Sequence, residues 1–510
     1  MKKLILPLVA CMLGAIAFSA TPKAATPKAA APKAAAPKPA PLRAGAATSV
    51  ITPPIGSMRV GGFVPLPSTH VHDELHARCL VLDDNHKKIA IVICDLLGFH
   101  RSVSIEARRI IQEETGIPPE NVIISATHTH SAGSALGTVR YVNEQKLDEY
   151  QLFLAQRIAD GVRRAMTLLR PAEIAFRSVD LPDPILNRRW LVKDGKGEAN
   201  PFGIIEKVRK TGQPGPEFSG PAGPTDNALS IIALREPAGR MIAAYCAYSM
   251  HYAGMNMPNA ISADYFGAFC EELKQLQSTW TDDPPFVAML ANATSGDVGS
   301  NQKRYNHLDK TAGPYGRSRA AGHDVAVAAD AALKSINDWK DRASLDARFR
   351  ELDLGWRKIE PELIAWAKEI EGKAPRLASG PIPLAAKWAT TPDWATRLSY
   401  AGRVQALAAK TDKVKFPIQV VRIGDICIGT SPSETYAEIG LDFKKRSPFA
   451  KSFMIELNHA MLGYLPPPYQ FEFGEYSTWP GTNIVERDTS IKMLDALIAM
   501  ANDLKPNGSD

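Results

Sequence analysis

Two histidines that are one residue apart are the side chains best suited to chemistry in this sequence. His128 and His130 lie within residues 125–133, directly after residues 121–124, an apolar run that predicts a short buried strand. Alternate side chains of an extended chain share a face, so both imidazoles are expected to point the same way. Such a pair suits a metal ligand with a neighbouring acid or base. The alternative is that both are ordinary polar residues leaving a strand.

The elements around this pair alternate between strands and helices, which predicts an α/β fold of mixed sheets flanked by helices. Strands are predicted at residues 75–82, 88–94, 229–234, 241–247, 286–292 and 416–429. Helices are predicted at residues 104–115, 150–169, 264–277, 320–339, 435–446 and 491–504. No internal repeat is evident in the sequence.

The first 43 residues differ from the rest in composition. A basic start and an apolar run to Phe18 predict a signal peptide over residues 1–20, and therefore a periplasmic or extracellular protein. The apolar stretch before Cys11 is very short for a lipoprotein signal, so ordinary export is favoured over a lipid anchor. Residues 21–43 repeat Pro-Lys-Ala-Ala and predict a disordered cationic linker, capable of transient contact with an anionic envelope surface.

The net charge of +6 belongs to this N-terminal segment. Residues 1–43 contain seven basic residues and no acidic residue, which leaves residues 44–510 with a net charge of −1. A nearly neutral body gives no electrostatic basis for binding nucleic acid. No later segment is apolar for long enough to span a membrane.

Residues 44–510 are predicted to form one catalytic domain. Residues 182–225 are rich in proline and glycine and predict a long loop, and residues 356–410 predict a helical-hairpin insertion around a proline-rich middle. Five cysteines follow the signal peptide, mostly in apolar runs, which favours buried free thiols, with one disulfide as the alternative.

Several short motifs, taken in order, resemble the neutral/alkaline ceramidase family, whose members are zinc amidases that cut the N-acyl bond of ceramide. The resemblance covers most of residues 44–490. Its motifs are Ile51-Thr52-Pro53 with Met58 and Gly61-Gly62-Phe63, then Ser-Ala-Thr-His-Thr-His-Ser at residues 125–131, Asn187-Arg188, and the Ser-x-Asp-x-x-Gly segment within residues 261–267. Each motif is weak alone, and their joint order is specific.

The resemblance implies a ligand set and several catalytic residues. The implied zinc ligands are His128, His251, Glu434 and Tyr464, and Tyr476 matches the family's second active-site tyrosine, twelve residues later. Two imidazoles and a carboxylate would leave zinc one position for a water of lowered pKa.

Three further residues are predicted to take part in catalysis. His130 is expected to transfer a proton as the amine leaves, and Arg188 to hold a substrate oxygen. Ser300 is the candidate for a serine role, because the family signature Gly-Asp-Val-Ser-Pro-Asn reads Gly-Asp-Val-Gly-Ser-Asn at residues 296–301. Gly299 therefore stands at the serine position, and Ser300 replaces it only if the loop shifts by one residue.

Each of these residues also has a purely structural interpretation. His251 suits a buried core histidine, and Glu434 suits a charge at a helix N-terminus. Tyr464 and Tyr476 suit loop-packing aromatics, and Asp264 suits a helix cap.

The function expected from the sequence is that of an exported zinc hydrolase of an N-acyl amide, acting weakly or not at all on ceramide. One alternative is a zinc hydrolase of the same fold acting on a non-lipid amide or ester. Another is a catalytically inactive, tethered binding protein.

Overall fold

The computed structural model describes residues 41–61, 65–137, 139, 141–254, 259–279, 283–373 and 394–505. The helices are α1 (Arg101–Thr115), α2 (Glu149–Thr167), α3 (Asp264–Leu276), α4 (Gln302–Tyr305), α5 (Leu308–Thr311), α6 (Gly316–Lys334), α7 (Pro361–Lys373), α8 (Trp394–Ala408), α9 (Ala437–Arg446) and α10 (Thr489–Leu504). Short 3-10 helices span Pro119–Asn121, Pro468–Glu472 and Tyr476–Thr478.

Strands of two to eleven residues connect these helices. In the first half of the chain they are β1 (Arg43–Val50), β2 (Met58–Val60), β3 (Leu66–Pro67), β4 (His70–Val71), β5 (His76–Asp83), β6 (Lys88–Cys94), β7 (Val122–Ala126), β8 (Ala132–Gly133), β9 (Arg170–Pro171), β10 (Glu173–Asp180), β11 (Ile185–Asn187), β12 (Arg189–Val192), β13 (Val208–Lys210), β14 (Phe218–Pro221), β15 (Ala228–Arg235) and β16 (Met241–Tyr248). The later strands are β17 (Ala260–Ile261), β18 (Val287–Asn292), β19 (Val298–Ser300), β20 (Leu345–Gly355), β21 (Lys413–Ile423), β22 (Ile426–Thr430), β23 (Glu434–Thr435), β24 (Lys451–Ile455) and β25 (Tyr464–Leu465).

One arrangement of four strands and two helices recurs three times in the described residues. In the first unit β1, β5 and β6 are antiparallel neighbours, α1 returns the chain so that β7 pairs parallel with β6, and α2 follows. The second unit repeats this order with β10, β15, β16, α3, β18 and α6. The third unit uses β20, β21, β22, α9, β24 and α10. This structural repeat is not visible in the sequence, because a buried strand position accepts many different apolar residues. The three units therefore share a topology without sharing a sequence pattern.

The three sheets share one apolar core. Ile91 of β6, Tyr245 of β16 and Ile428 of β22 are fully buried in it, one from each unit. The helices cover the opposite faces of the sheets, so the central strands are buried on both sides and read as nearly continuous apolar runs. The predicted fold class, mixed sheets flanked by helices, is confirmed.

The start of the globular domain differs from the prediction. Residues 1–40, which contain the predicted signal peptide, Cys11 and most of the linker, lie outside the described residues, as do Gly62 and Phe63. The linker was predicted to end at residue 43, but Leu42 is fully buried and Arg43 begins β1. The backbone N–H of Leu42 donates to the carbonyl of Asp341, a contact with a distant residue that local composition does not reveal.

The predicted long loop, residues 182–225, contains more regular structure than expected. The predicted helical hairpin, within residues 356–410, is present. Residues 182–225 contain β11 to β14, of which β13, β12 and β14 form a small antiparallel sheet. Within residues 356–410, α7 and α8 pack against each other around Ala367, Ile370, Ala401 and Val404, as a helical hairpin requires. The proline-rich middle, residues 374–393, lies outside the described residues. Each segment joins the first and second strands of its unit.

The cysteines after the predicted signal peptide are all described, buried and free. They are Cys79, Cys94, Cys246, Cys270 and Cys427. The prediction of buried thiols is confirmed, and the alternative of a disulfide among them is wrong. Within the described part of the chain, no helix combines the length and the apolar character needed to cross a bilayer.

Candidate metal centre

The ends of strands from all three units meet at one point. His128 follows β7 by two residues, His251 follows β16 by three, and Glu434 follows β22 by four. These strands belong to the parallel pairs of their sheets, and ligands of α/β proteins typically bind at the carboxyl ends of such strands. The fold therefore brings together three residues that are 123 and 183 positions apart in sequence.

The three candidate donor atoms lie at spacings that suit one small cation. His128 Nε2 is 3.0 Å from His251 Nε2 and 3.3 Å from Glu434 Oε2, and His251 Nε2 is 3.6 Å from the same oxygen. Four ligands at the usual zinc distances stand about 3.3 Å from one another in a tetrahedron. All three side chains are buried.

Hydrogen bonds determine which nitrogen of each imidazole faces the centre. Each Nδ1 atom donates to a backbone carbonyl. His128 donates to Leu97 (2.7 Å), His130 to Gly61 (2.7 Å) and His251 to Ser295 (3.2 Å). A carbonyl only accepts, so each Nδ1 carries a proton and each Nε2 is the nitrogen that faces the centre. Burial holds the pKa values of His130 and His251 well below the usual histidine value, so both rings are neutral. Two Nε2 atoms that face each other at 3.0 Å, beside a carboxylate, suit a cation bound between them.

Glu434 supplies the negative charge of the centre. Burial alone would raise the pKa of this carboxyl group, but neighbouring His128, Tyr464 and Arg188 hold it below its usual value. Its Oε2 atom is buried and has no hydrogen-bond partner among the described residues. An ionised oxygen buried without a partner is costly unless it binds a cation. These donors therefore fit zinc.

His130, which the sequence analysis assigned to proton transfer, is also close to the candidate ligands. Its Nε2 lies 3.1 Å from His128 Nε2, and the donor nitrogens of His128, His130 and His251 all lie within 4.8 Å of one another. Its ring stacks on Tyr252 with 3.8 Å between ring centroids. The geometry suits either a ligand or a base beside the metal, so the role of His130 stays a prediction.

Tyr464, Tyr476 and Arg188 form one wall of the centre. Strands β25 and β23 pair in parallel with Tyr464 opposite Glu434. Arg188 Nη2 donates to Tyr464 Oη (2.9 Å) and to the carbonyl of Gly296 (2.6 Å). The ring of Tyr476 lies 5.4 Å from that of Tyr464. Phenol and guanidinium groups are thus positioned where a substrate oxygen could accept hydrogen bonds.

Gly299 and Ser300 lie in β19, which pairs with β11. A Cβ atom at Gly299 would contact Arg188 Cβ and Cδ at 3.7 Å, an ordinary van der Waals distance, so a small side chain fits there. Neighbouring residues of a strand point to opposite faces, so Ser300 does not aim its hydroxyl as a serine at 299 would. The one-residue shift that Ser300 needs would break the β11–β19 pairing.

Two cavities flank the centre. One, of about 420 Å³, is lined by His128, His130, Glu434 and both wall tyrosines, and by many apolar side chains, including Leu97, Leu136, Trp356, Met461 and Ile484. Its lining also includes Arg403, and Arg101 and Lys415, which are paired with Glu351 and Asp353. The other, of about 510 Å³, is lined by His251, Arg188, Lys210, Gly299, Ser300 and Gln302 with a few neighbours. The first suits a hydrocarbon chain and the second suits a polar group.

Glu456 is a buried residue near the centre that the sequence analysis missed. It follows β24, and its carboxyl group accepts hydrogen bonds from Asn292 Nδ2 (2.9 Å), Ser295 Oγ (2.8 Å) and the backbone N–H of Thr435 (2.7 Å). Ser295 in turn accepts from His251, and Thr435 follows Glu434. Glu456 therefore links the supports of two candidate ligands. The only signal in the sequence is an acidic residue directly after an apolar strand.

We expect Glu456→Gln to weaken zinc binding. The amide replaces one acceptor by a donor and disturbs both supports, and outer hydrogen-bond partners of metal ligands typically contribute about 10- to 100-fold in affinity. Competition with a chromophoric chelator measures the change. Asp84→Asn, at a buried turn carboxylate of the first sheet, is the control for a general loss of stability. A folded Glu456→Gln variant with wild-type zinc affinity would contradict this role.

Comparison with known proteins agrees with this geometry. Residues 43–313, more than half of the chain, match the family model described as neutral/alkaline non-lysosomal ceramidase, N-terminal. Among solved structures, the neutral ceramidase from Pseudomonas aeruginosa is similar, with 18% sequence identity and a TM-score of 0.65 over 91% of this chain and 74% of that one. A structure described as ceramidase complexed with C2 has 18% identity and a TM-score of 0.66, over 92% and 77% of the two chains. At this identity the structural likeness shows the fold.

Proposed function

Because this chain belongs to the neutral/alkaline ceramidase family, we propose that it is a zinc-dependent hydrolase of an amide (N-acyl) bond. One observation carries the proposal. Nε2 of His128, Nε2 of His251 and the buried Oε2 of Glu434, which has no hydrogen-bond partner among the described residues, face one point beside an apolar cavity. This donor set leaves room for a water molecule, as in hydrolytic zinc sites.

The residues around the centre have separate tasks in this proposal. Zinc, held by His128, His251 and Glu434 with Tyr464 as the fourth ligand, would supply a water of lowered pKa and polarise the acyl oxygen. Arg188 and Tyr476 hold the oxygen on which charge develops. His130 accepts a proton from the attacking water on its neutral Nε2 and passes that proton to the leaving nitrogen. The apolar cavity excludes water and holds the acyl chain.

Removing zinc tests this proposal directly. We expect the purified protein to contain about one zinc per chain, to lose hydrolysis of a fluorogenic N-dodecanoyl amide after chelation, and to regain it when zinc is added. Magnesium is the control, because it prefers six oxygen ligands over imidazole. Full activity in a metal-free protein would exclude the proposed chemistry.

A second candidate is a zinc hydrolase of the same fold that acts on a non-lipid amide or ester. The observation that favours it is Gly299, where the family signature has a serine, next to a polar cavity. Turnover of short, water-soluble amides at least as fast as long-chain ones would support it. A third candidate, an inactive binding protein, predicts zinc and ligand binding with no turnover of any N-acyl substrate.

We also propose export to the periplasm or beyond the cell. The support is the sequence of residues 1–20 and the cationic linker that follows. Cell fractionation tests it, with a form beginning at residue 21 as the control. Cytoplasmic retention of the full chain would contradict export.

A further inference from the structure

The polar cavity beside His251 carries positive charge without a matching acid. Its lining includes Arg188, Lys210 and Arg317 and, among the described residues, no aspartate or glutamate. Arg317 is paired with Asp309, which lies outside the lining, at 2.5 Å. Two cations, Arg188 and Lys210, are left to act on whatever occupies the cavity.

Arg188 is held by two hydrogen bonds. Its Nη2 donates to the Gly296 carbonyl at 2.6 Å and to the Tyr464 hydroxyl at 2.9 Å. The nearby carboxylate of Glu475 is engaged with Arg189 Nε at 3.2 Å. No ion pair to Arg188 occurs among the described residues.

Lys210 lies next to Arg188 because of strand pairing. It ends β13 opposite Arg189 of β12, and the backbone N–H of Thr211 donates to the Arg188 carbonyl at 2.8 Å. Lys210 Nζ lies 5.3 Å from the centre of the Tyr476 ring. In the described part of the chain, its ammonium makes no ion pair. Two neighbouring cations repel each other in such a cavity, and an anion between them removes that cost.

We propose that this cavity binds an anionic group, a carboxylate or a phosphate, on the amine portion of the substrate. The inference rests on the proposed function and names its substrate class, N-acyl amides whose amine portion is an acid. The acyl chain occupies the apolar cavity on the other side of the centre, so the amine portion lies on the side of His251. The hydroxyl of Thr211 and the amide of Gln302 add hydrogen-bond donors to the anion.

The reaction is an addition of water across the amide bond. A C–O bond forms at the acyl carbon, the C–N bond breaks, and the proton from water goes to the leaving nitrogen. The products are a fatty acid and a free amino acid or aminoalkyl phosphate. Neither an oxidant nor a reductant is required.

Three substrates with the same acyl chain test the inference on the zinc-loaded protein. They are N-dodecanoylglycine, its phosphate counterpart N-dodecanoyl-2-aminoethyl phosphate, and the neutral N-dodecanoylglycinamide. We expect kcat/KM to be at least about tenfold higher for an anionic substrate than for the neutral one, since a hydrogen bond to a charged group contributes that much. The preferred anion shows whether the site is built for carboxylate or phosphate.

Lys210→Met removes the charge and keeps the apolar stem. We expect it to raise KM for the preferred anionic substrate about tenfold and to leave the neutral substrate unchanged. Lys193→Met is the matched control, because Lys193 is an exposed lysine that does not line the cavity. The control should retain the full preference for the anion.

The outcomes separate this inference from the proposed function. An active enzyme that cleaves neutral and anionic substrates equally well would overturn the inference and leave the function intact. A zinc-loaded protein that cleaves none of the three would overturn the function, and calorimetric titration of the same compounds would then decide the inference. If the anionic compounds bind more tightly than the neutral one and Lys210→Met removes this difference, the inference is supported. If all three compounds bind equally tightly, the inference is rejected.

Discussion

Replacing Glu434 by glutamine is expected to remove zinc from the protein and to abolish hydrolysis. The amide keeps the volume of the side chain but loses the negative charge at the oxygen that lies 3.3 Å and 3.6 Å from the two imidazole nitrogens. The loss should exceed the roughly 10- to 100-fold effect of removing a hydrogen-bond partner of a ligand. Metal analysis after dialysis and kcat/KM on an N-acyl amide measure it.

The matched control for this change is Glu438→Gln. Glu438 lies four residues further on, in the first turn of α9, and its carboxylate contacts the Tyr469 hydroxyl. This variant should keep both zinc and activity. Circular dichroism establishes that both proteins are folded. A folded Glu434→Gln variant with one tightly bound zinc and wild-type turnover would show that the centre is not built around this carboxylate.

Introducing serine at position 299 is expected to raise the hydrolysis of ceramide. The family signature has a serine at this place, and a side chain there meets only Arg188, at ordinary contact distance. One hydrogen-bond donor to the developing oxyanion contributes about 2.7–4 kcal/mol, or a factor of about 100 to 1,000 in kcat. Assays of wild type and Gly299→Ser on a fluorogenic ceramide measure the gain.

Two further variants control for this result. Gly299→Ala adds a methyl group without the hydroxyl and should give no gain, and Ser300→Ala tests whether the existing serine already acts. Robust cleavage of ceramide by the wild type, unaffected by Ser300→Ala and not increased by Gly299→Ser, would show that no serine is needed here. The expected weakness on ceramide would then be wrong.

The candidate metal ligands were predicted largely because short motifs kept their order along the chain. His128 and Glu434 each directly follow an apolar strand, a local pattern that is visible without coordinates. Such local patterns do not show how close two residues from different strands lie in space. The 3.3 Å between His128 Nε2 and Glu434 Oε2 results from two sheets packing against one core.

Residues that act through long-range contacts were missed for the same reason. Glu456 and Lys210 belong to no motif, and their partners, such as Ser295 and Arg188, lie more than twenty positions away in sequence. The catalytic assignment of Ser300 rested on spacing along the chain, whereas the direction of its side chain depends on strand pairing with β11.

The sequence by itself determined the kinds of elements and their order, because the periodicity of apolar side chains is a local property of a few neighbouring residues. It also determined which side chains have metal-binding chemistry. Only the tertiary structure decided that three units of equal topology share one core, that their strand ends meet at a single centre, and that an apolar and a cationic cavity lie on either side of it. These features depend on packing between segments more than one hundred residues apart, where many sequences satisfy the same apolar pattern.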